Sequence, residues 1–166
     1  MTDETNEPTP EPTFLHEDDV AWQEVRALEQ AEGRRTSVWE RWFTIGRDPE
    51  FLSMIGRWDP DMVVHRHGHN SHQVVYVLAG GMWCGERWCP AGTHIDLPHG
   101  AALGPLVAGP DGVELFEVMM GDPRSWEADR TGFERLLADR GITPLPNPPI
   151  TLPEWLPDTR SQHAPE

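Results

Sequence analysis

Between Thr36 and Gly121 the apolar residues come in short or alternating runs, broken by Gly, Pro, Asp and Asn at intervals of about 8–12 residues. Alternation puts every second side chain on one face of an extended strand, so this texture predicts strands. The runs 37–45, 51–57, 62–67, 73–79, 81–84, 87–89, 93–97, 103–107 and 113–120 read as strands. Asp59-Pro60, Gly68 to Ser71, Gly80-Gly81, Gly85-Glu86, Pro98 to Gly100 and Gly109 to Gly112 separate them with turn residues. Many short strands and no long helix predict an all-β fold, either a closed barrel or a double sheet.

The flanks read differently. Residues 1–17 form an acidic tail with threonines, prolines and almost no apolar content, which cannot repay the entropy of ordering and is expected to be disordered. Residues 18–35 read as an accessory helix, with Val20, Val25 and Leu28 among charges and acids at its start, where the helix dipole favours them. Residues 122–141 predict a second helix, roughly Arg124 to Arg140, with Phe133, Leu136 and Leu137 on one side and Gly141 as its stop. Residues 142–166 form a proline-rich arm carrying Ile150, Leu152, Trp155 and Leu156. Extended polyproline chain is cheap to order, so the arm is expected to pack along the barrel (residues 36–121) or a neighbouring subunit.

Charge narrows the partners. The 166 residues carry 28 acids against 13 basic residues, every one an arginine, for a formal charge of −15. Without lysine there is no Schiff-base chemistry and no P-loop lysine. Nucleic acid and anionic membrane are disfavoured, because phosphate binding needs clustered cations. Seven of the acids fall within residues 1–19 and say little about the folded part. No apolar run approaches the ~18 residues of a membrane helix, and no signal-peptide pattern opens the chain, so a cytoplasmic location is expected. Cys84 and Cys89 flank the Gly85-Glu86 turn diagonally, and reduced thiols are expected there. Trp83 and Trp88 should pair across the same hairpin.

The candidate chemistry is imidazole. Six of the eight histidines lie between residues 65 and 99, most densely in His65-Arg-His67-Gly-His69-Asn-Ser-His72-Gln73. Strand periodicity puts His65 and His67, with His69 as a further candidate, on one face, where two neutral imidazoles can converge on a cation. His94 and Asp96 share a face, and His99 lies close by. An inward Glu117 would meet a metal, an arginine or a substrate, because a buried carboxylate without a partner is costly. Arg57 and Arg66 are candidates for gripping a substrate carboxylate.

The stretch from His65 to Gly80, followed by Gly92 to Gly100, resembles the two motifs of the cupin superfamily. The first motif has His-x-His, a glutamate after three or four residues and a glycine seven positions further on. His65, His67 and Gly80 match it, and Gln73 stands in the glutamate slot with one extra residue before it. In the second motif Gly92, Pro98 and Gly100 are in register, while Leu103 and Val107 occupy the histidine and asparagine slots. The resemblance implies a single cupin barrel, a double-stranded β-helix or jelly roll, commonly a homodimer with a divalent metal (iron, manganese, nickel or zinc) at its centre. On that reading His65 and His67 hold the metal, and the third ligand is Gln73 or, if the register shifts by one, His72. It implies a dioxygenase-like, isomerase or lyase reaction on a small oxygenated molecule. The alternative is a metal-free barrel that binds a small ligand without catalysis, Leu103 having replaced the fourth ligand.

Overall fold

The computed structural model describes residues 9–160. The first eight residues of the acidic tail and the last six of the arm lie outside the described residues; residues 9–16 carry no regular secondary structure and are exposed. The strands are β1 (Gln23–Glu29), β2 (Arg35–Arg47), β3 (Glu50–Trp58), β4 (Val63–Val64), β5 (His67–Cys84), β6 (Arg87–Pro90), β7 (His94–Leu97), β8 (Leu106–Glu127) and β9 (Thr143–Pro144). One helix, α1 (Arg130–Arg140), follows β8. All pairings are antiparallel, in the order β6-β5-β8-β3-β2-β1-β9, with β4 on β8 and β7 on β5.

The framework is the β5–β8 ladder, which runs from His67 opposite Glu127 to Cys84 opposite Leu106. Runs that the turn residues divide in the sequence are continuous here. Gly80, with φ +65°, makes a bulge within β5, and Gly109 to Gly112 lie inside β8. A bulge bends and twists a strand without ending it, so one long strand serves both halves of the barrel. Inward positions alternate as expected: Leu52 and Met54 on β3, Val75 and Val77 on β5, and Val113, Leu115 and Met119 on β8 are all at most 4% exposed.

The flanking predictions need correction at one end. No helix spans residues 18–35; a single 3-10 turn (Glu17–Asp19) precedes β1, which pairs with β2. Helices in proteins are stabilised mostly by packing an amphipathic face, of which this segment has little, whereas the edge of β2 offers backbone partners and burial for Val25, Ala27 and Leu28. At the other end α1 starts at Arg130, because β8 continues to Glu127. Asp129 caps it by accepting from the Gly132 amide at 2.9 Å, and Gly141, with φ +65°, ends it. Phe133, Leu136 and the buried Leu137 face the barrel core.

The proline arm packs along its own barrel. Ile142 and Leu156 are buried, and Ile150, Leu152 and Trp155 cover a cluster of Trp42, Leu52, Met54 and Met119. The hairpin pairs Trp83 with Trp88, ring centroids 5.3 Å apart, and both cysteines are free thiols. Burial pushes both thiols up, away from reactivity.

Candidate functional site

A cavity opens inside the barrel, with about 740 Å³ of space not filled by atoms, its open mouth included. Most of its wall is apolar, from Val25, Val38, Leu52, Met54, Val75, Leu115 and other core residues. Its polar groups are few: His67, His69 and Gln73 on β5, Glu117 and Ser125 on β8, Glu40 on β2, Arg26 on β1, and Thr159 and Arg160 from the arm.

The structure shifts the histidine pair by one step. His67 and His69 line the cavity; His65 does not. His65 precedes β5, is 3% exposed and sets its ring edge-on to Phe133 of α1 at 5.6 Å. The three imidazoles still form a row, with centroids 5.1 Å (His65 to His67) and 5.4 Å (His67 to His69) apart. Three residues separate His69 from Gln73, which is the spacing of the cupin motif without the extra residue that His65 and His67 required. That spacing was the available signal.

The hydrogen bonds of the two cavity histidines fix their tautomers. Nδ1 of His67 lies 2.9 Å from the His65 carbonyl oxygen, and Nδ1 of His69 lies 2.6 Å from that of Pro123. A carbonyl only accepts, so each Nδ1 carries the hydrogen and each Nε2 keeps its lone pair. Burial drives all three rings toward the neutral form, with neighbouring His69 and Arg26 adding to it for His65, which falls to about 3. His67 is held well below its ordinary value by burial and by the other two histidines. His69 falls to about 4 by burial, against the opposing pull of the Pro123 carbonyl. The imidazoles are therefore neutral, ligand-competent bases at neutral pH without any metal to make them so.

Gln73 is buried at 3% exposure and faces the cavity. Its Nε2 donates to Glu117 Oε2 at 2.7 Å. Glu117 is inward, 8% exposed, and pushed up to about 8, by burial first and by the nearby Glu40 second. Gly56, between Glu40 and Leu115 in the ladder, keeps this wall open; a Cβ there would come within 3.3 Å of Glu117 Oε1. Glu40 accepts from Trp42 Nε1 at 2.6 Å, yet burial still raises it despite that bond and the charges of Arg26 and Arg160.

His72, the alternative third ligand, is excluded by the strand's alternation. It points to the outer face of β5 with a side chain 44% exposed, and it pairs with Asp96 there. Leu103 lines the cavity beside His67, exchanging both backbone hydrogen bonds with it, at 3.0 and 2.8 Å. His94 and His99 are exposed, and so are Arg57 and Arg66. Arg57 lies over the Trp22 ring at 4.4 Å instead of entering the cavity. Among the described residues no three His, Cys, Asp or Glu side chains form a metal-holding group. The side chains that line the cavity and could donate to a cation are the imidazoles of His67 and His69, the Gln73 amide and the carboxyls of Glu117 and Glu40.

Sequence reasoning missed Arg26, Glu40, Thr159 and Arg160. Glu40 was legible, since it alternates with the inward Val38 and Trp42. Arg26 was hidden by the helical reading of its segment. Thr159 and Arg160 reach the cavity through the arm: the Thr159 carbonyl accepts from the Ser125 amide at 2.8 Å and its hydroxyl at 3.0 Å, and Arg160 Nη1 donates to the carbonyls of Pro148 and Val25.

No family model matches the sequence, and no curated protein matches it. Solved structures do match. KdgF from a Halomonas species is 22% identical, covers 66% of this chain and 94% of its own, and has a TM-score of 0.51. An RmlC-like cupin protein from Ralstonia eutropha is 15% identical over 82% of this chain and 93% of its own, with a TM-score of 0.56. An acetylacetone dioxygenase from Acinetobacter johnsonii is 11% identical over 76% and 83%, with a TM-score of 0.53. The chain has the cupin fold. At these identities the likeness is one of architecture, and fold alone does not choose a reaction. No described helix is long and apolar enough to cross a membrane.

Proposed function

We propose that the protein is a metal-dependent enzyme acting on a small, mostly apolar molecule with an oxygen function, its divalent metal held by His67, His69 and the Gln73 side-chain oxygen. The observation that carries this is the pair of Nδ1 bonds to backbone carbonyls, which leaves two neutral Nε2 atoms on one cavity wall. A bound divalent ion there would act as a Lewis acid on the substrate's oxygen. The apolar wall strips water from the rest of the substrate. Gln73 orients Glu117 by donating to its Oε2, and Glu117, raised to about 8, holds a proton at neutral pH that it can give to a substrate oxygen. Dioxygenase-like, isomerase and lyase chemistry are all compatible with this arrangement. Leu103 beside His67 favours the competing reading, a metal-free ligand carrier.

Titration of the metal-stripped protein with Fe(II), Mn(II), Ni(II) and Zn(II) by calorimetry decides between the two readings. One equivalent bound, lost in a His67→Ala, His69→Ala variant and kept in His65→Ala, is the expected outcome. Failure to bind any of the four ions, or binding that survives the double substitution, overturns the metal reading and leaves the carrier.

A further inference from the structure

Arg26 reaches the cavity through a break in the ladder between β1 and β2. Glu24 stands opposite Trp39 and Arg26 opposite Val38, which leaves Val25 as an extra residue on β1. A bulge of this kind re-aims the side chains around it. Strict alternation would send Arg26 to the face away from Val25, yet both residues line the cavity. The bulge is braced from the arm, where Arg160 Nη1 donates to the Val25 carbonyl at 3.3 Å. The rest of Arg160 is engaged as well: Nε and Nη2 donate to Asp158, and Nη1 also donates to the Pro148 carbonyl.

The charges on the cavity wall do not balance. In a chain of formal charge −15, the wall holds two arginines and, among the described residues, two acids, Glu40 and Glu117. Burial pushes both acids toward their neutral forms, Glu117 to about 8. Asp158 answers the charge of Arg160 at 2.7 Å. Burial disfavours the charge of Arg26 as well, and Glu40 works against that, but a guanidinium keeps its proton at neutral pH in either case. The field of Arg26 reaches the histidine row, where after burial it is among the charges that keep His65, His67 and His69 neutral.

We propose that Arg26 is a substrate-binding residue that reads a carboxylate, and that the molecule the cavity takes is a small monocarboxylate with an apolar body. A planar guanidinium meets a carboxylate with two parallel N–H···O bonds, and one guanidinium matches one negative charge. Arg160, tied to Asp158 and to two carbonyls, is not placed to take a second charge. The apolar wall around Val38, Leu52 and Leu115 suits a hydrocarbon body. This deepens the proposed function and rests on its choice of the cavity as the binding site, but it needs no metal.

Metal-stripped protein titrated with hexanoate and with its uncharged counterpart hexanamide, followed by ligand-detected NMR, tests the assignment. The parent chain should bind hexanoate at least about 10-fold more tightly than hexanamide, as a charge-assisted hydrogen-bonded pair requires. Arg26→Gln should remove that preference and leave hexanamide affinity within about twofold. Should that variant misfold, the parent's own Arg26 decides: its isotope-labelled Hε–Nε resonance moves with hexanoate and stays in place with hexanamide. Equal affinities for the two probes, no hexanoate binding up to about 50 mM, a preference that survives in folded Arg26→Gln, or an Arg26 resonance indifferent to hexanoate overturns the proposal. With no metal present, the result is independent of the four-ion titration. An ion that binds beside an indifferent Arg26 overturns this assignment alone, whereas a carboxylate preference in a protein that binds no ion upholds it and leaves a carrier anchored by Arg26.

Discussion

The two faces of β5 differ in a way that inverts the usual order of a half-buried strand. Inward, His69 and Gln73 add polar donors to a row continued by Val75 and Val77; outward, Val74, Tyr76 and Leu78 make an apolar surface beside His72. Polar groups inside a barrel cost free energy unless they are bonded, and here the His69 and Gln73 side chains are bonded, to the Pro123 carbonyl and to Glu117. Apolar groups outside cost little by themselves, and here Tyr76, Phe116 and Ile55 stand side by side across three strands. The inner face thus lines a cavity with a few bonded polar groups, and the outer face presents apolar side chains to its surroundings.

The largest test of that contrast exchanges neighbours across the pleat. Val77→Asp, at a position with 0% exposure, should cost about 4 kcal/mol or more, because it buries an unpaired carboxylate. Leu78→Asp, at 42% exposure, should change stability by no more than ~1 kcal/mol. Urea unfolding of both variants checks the pair, and equal losses would break the two-face description.

Glu117 tests the inner face next. Its carboxyl ionises near 4.5 when unfolded but near 8 in the fold, so the folded state binds the proton more tightly. Its contribution is complete below about pH 4.5 and is lost as pH rises toward 8. In the metal-stripped protein, Glu117→Gln should therefore gain stability at pH 7, by up to about 3 kcal/mol, and flatten the fall between pH 5 and 8. The histidines run the other way. Their depressed values favour the fold above about pH 6.5 and withdraw that support as pH falls toward 3–4. Urea midpoints measured from pH 4 to 9 separate the two slopes.

Much of this arrangement was legible in the sequence, and the exceptions have physical causes. The Trp83–Trp88 pair followed from a two-residue turn, and Gln73 facing inward followed from its distance to Gly80. Which histidines enter the cavity did not follow from alternation, since His65, His67 and His69 all have the same parity. The choice is made by where β5 begins and by the placement of α1, which draws His65 against Phe133. Both are tertiary facts. Residues 18–35 misled for a related reason: charges interspersed with Val20, Val25 and Leu28 suit a weak helix as well as a bulged edge strand, and only the neighbouring β2 decides.

Gln73→Glu would put a carboxylate in the inner row but set it against Glu117, whose carboxyl is already raised by burial and by Glu40 and would lose the hydrogen bond from the Gln73 amide. Two carboxyls in contact share one proton at neutral pH, so the metal-free variant should lose roughly 2 kcal/mol while binding a divalent ion about 10-fold more tightly. Calorimetric titration and urea unfolding of the same sample show whether the two effects move in opposite directions.

His72→Ala gives the smallest effect and the sharpest contrast. His72 is next to Gln73 in sequence, yet it lies on the other face and pairs with an Asp96 that is itself 56% exposed. Exposed pairs of this kind contribute ~0–1 kcal/mol, and removing one partner leaves the other solvated. The substitution should shift the urea midpoint by less than about 0.5 kcal/mol and leave metal affinity within about twofold. A large loss of affinity would mean that the register of β5 at this point is one residue off, which would turn Gln73 outward and undo the assignment of both faces together.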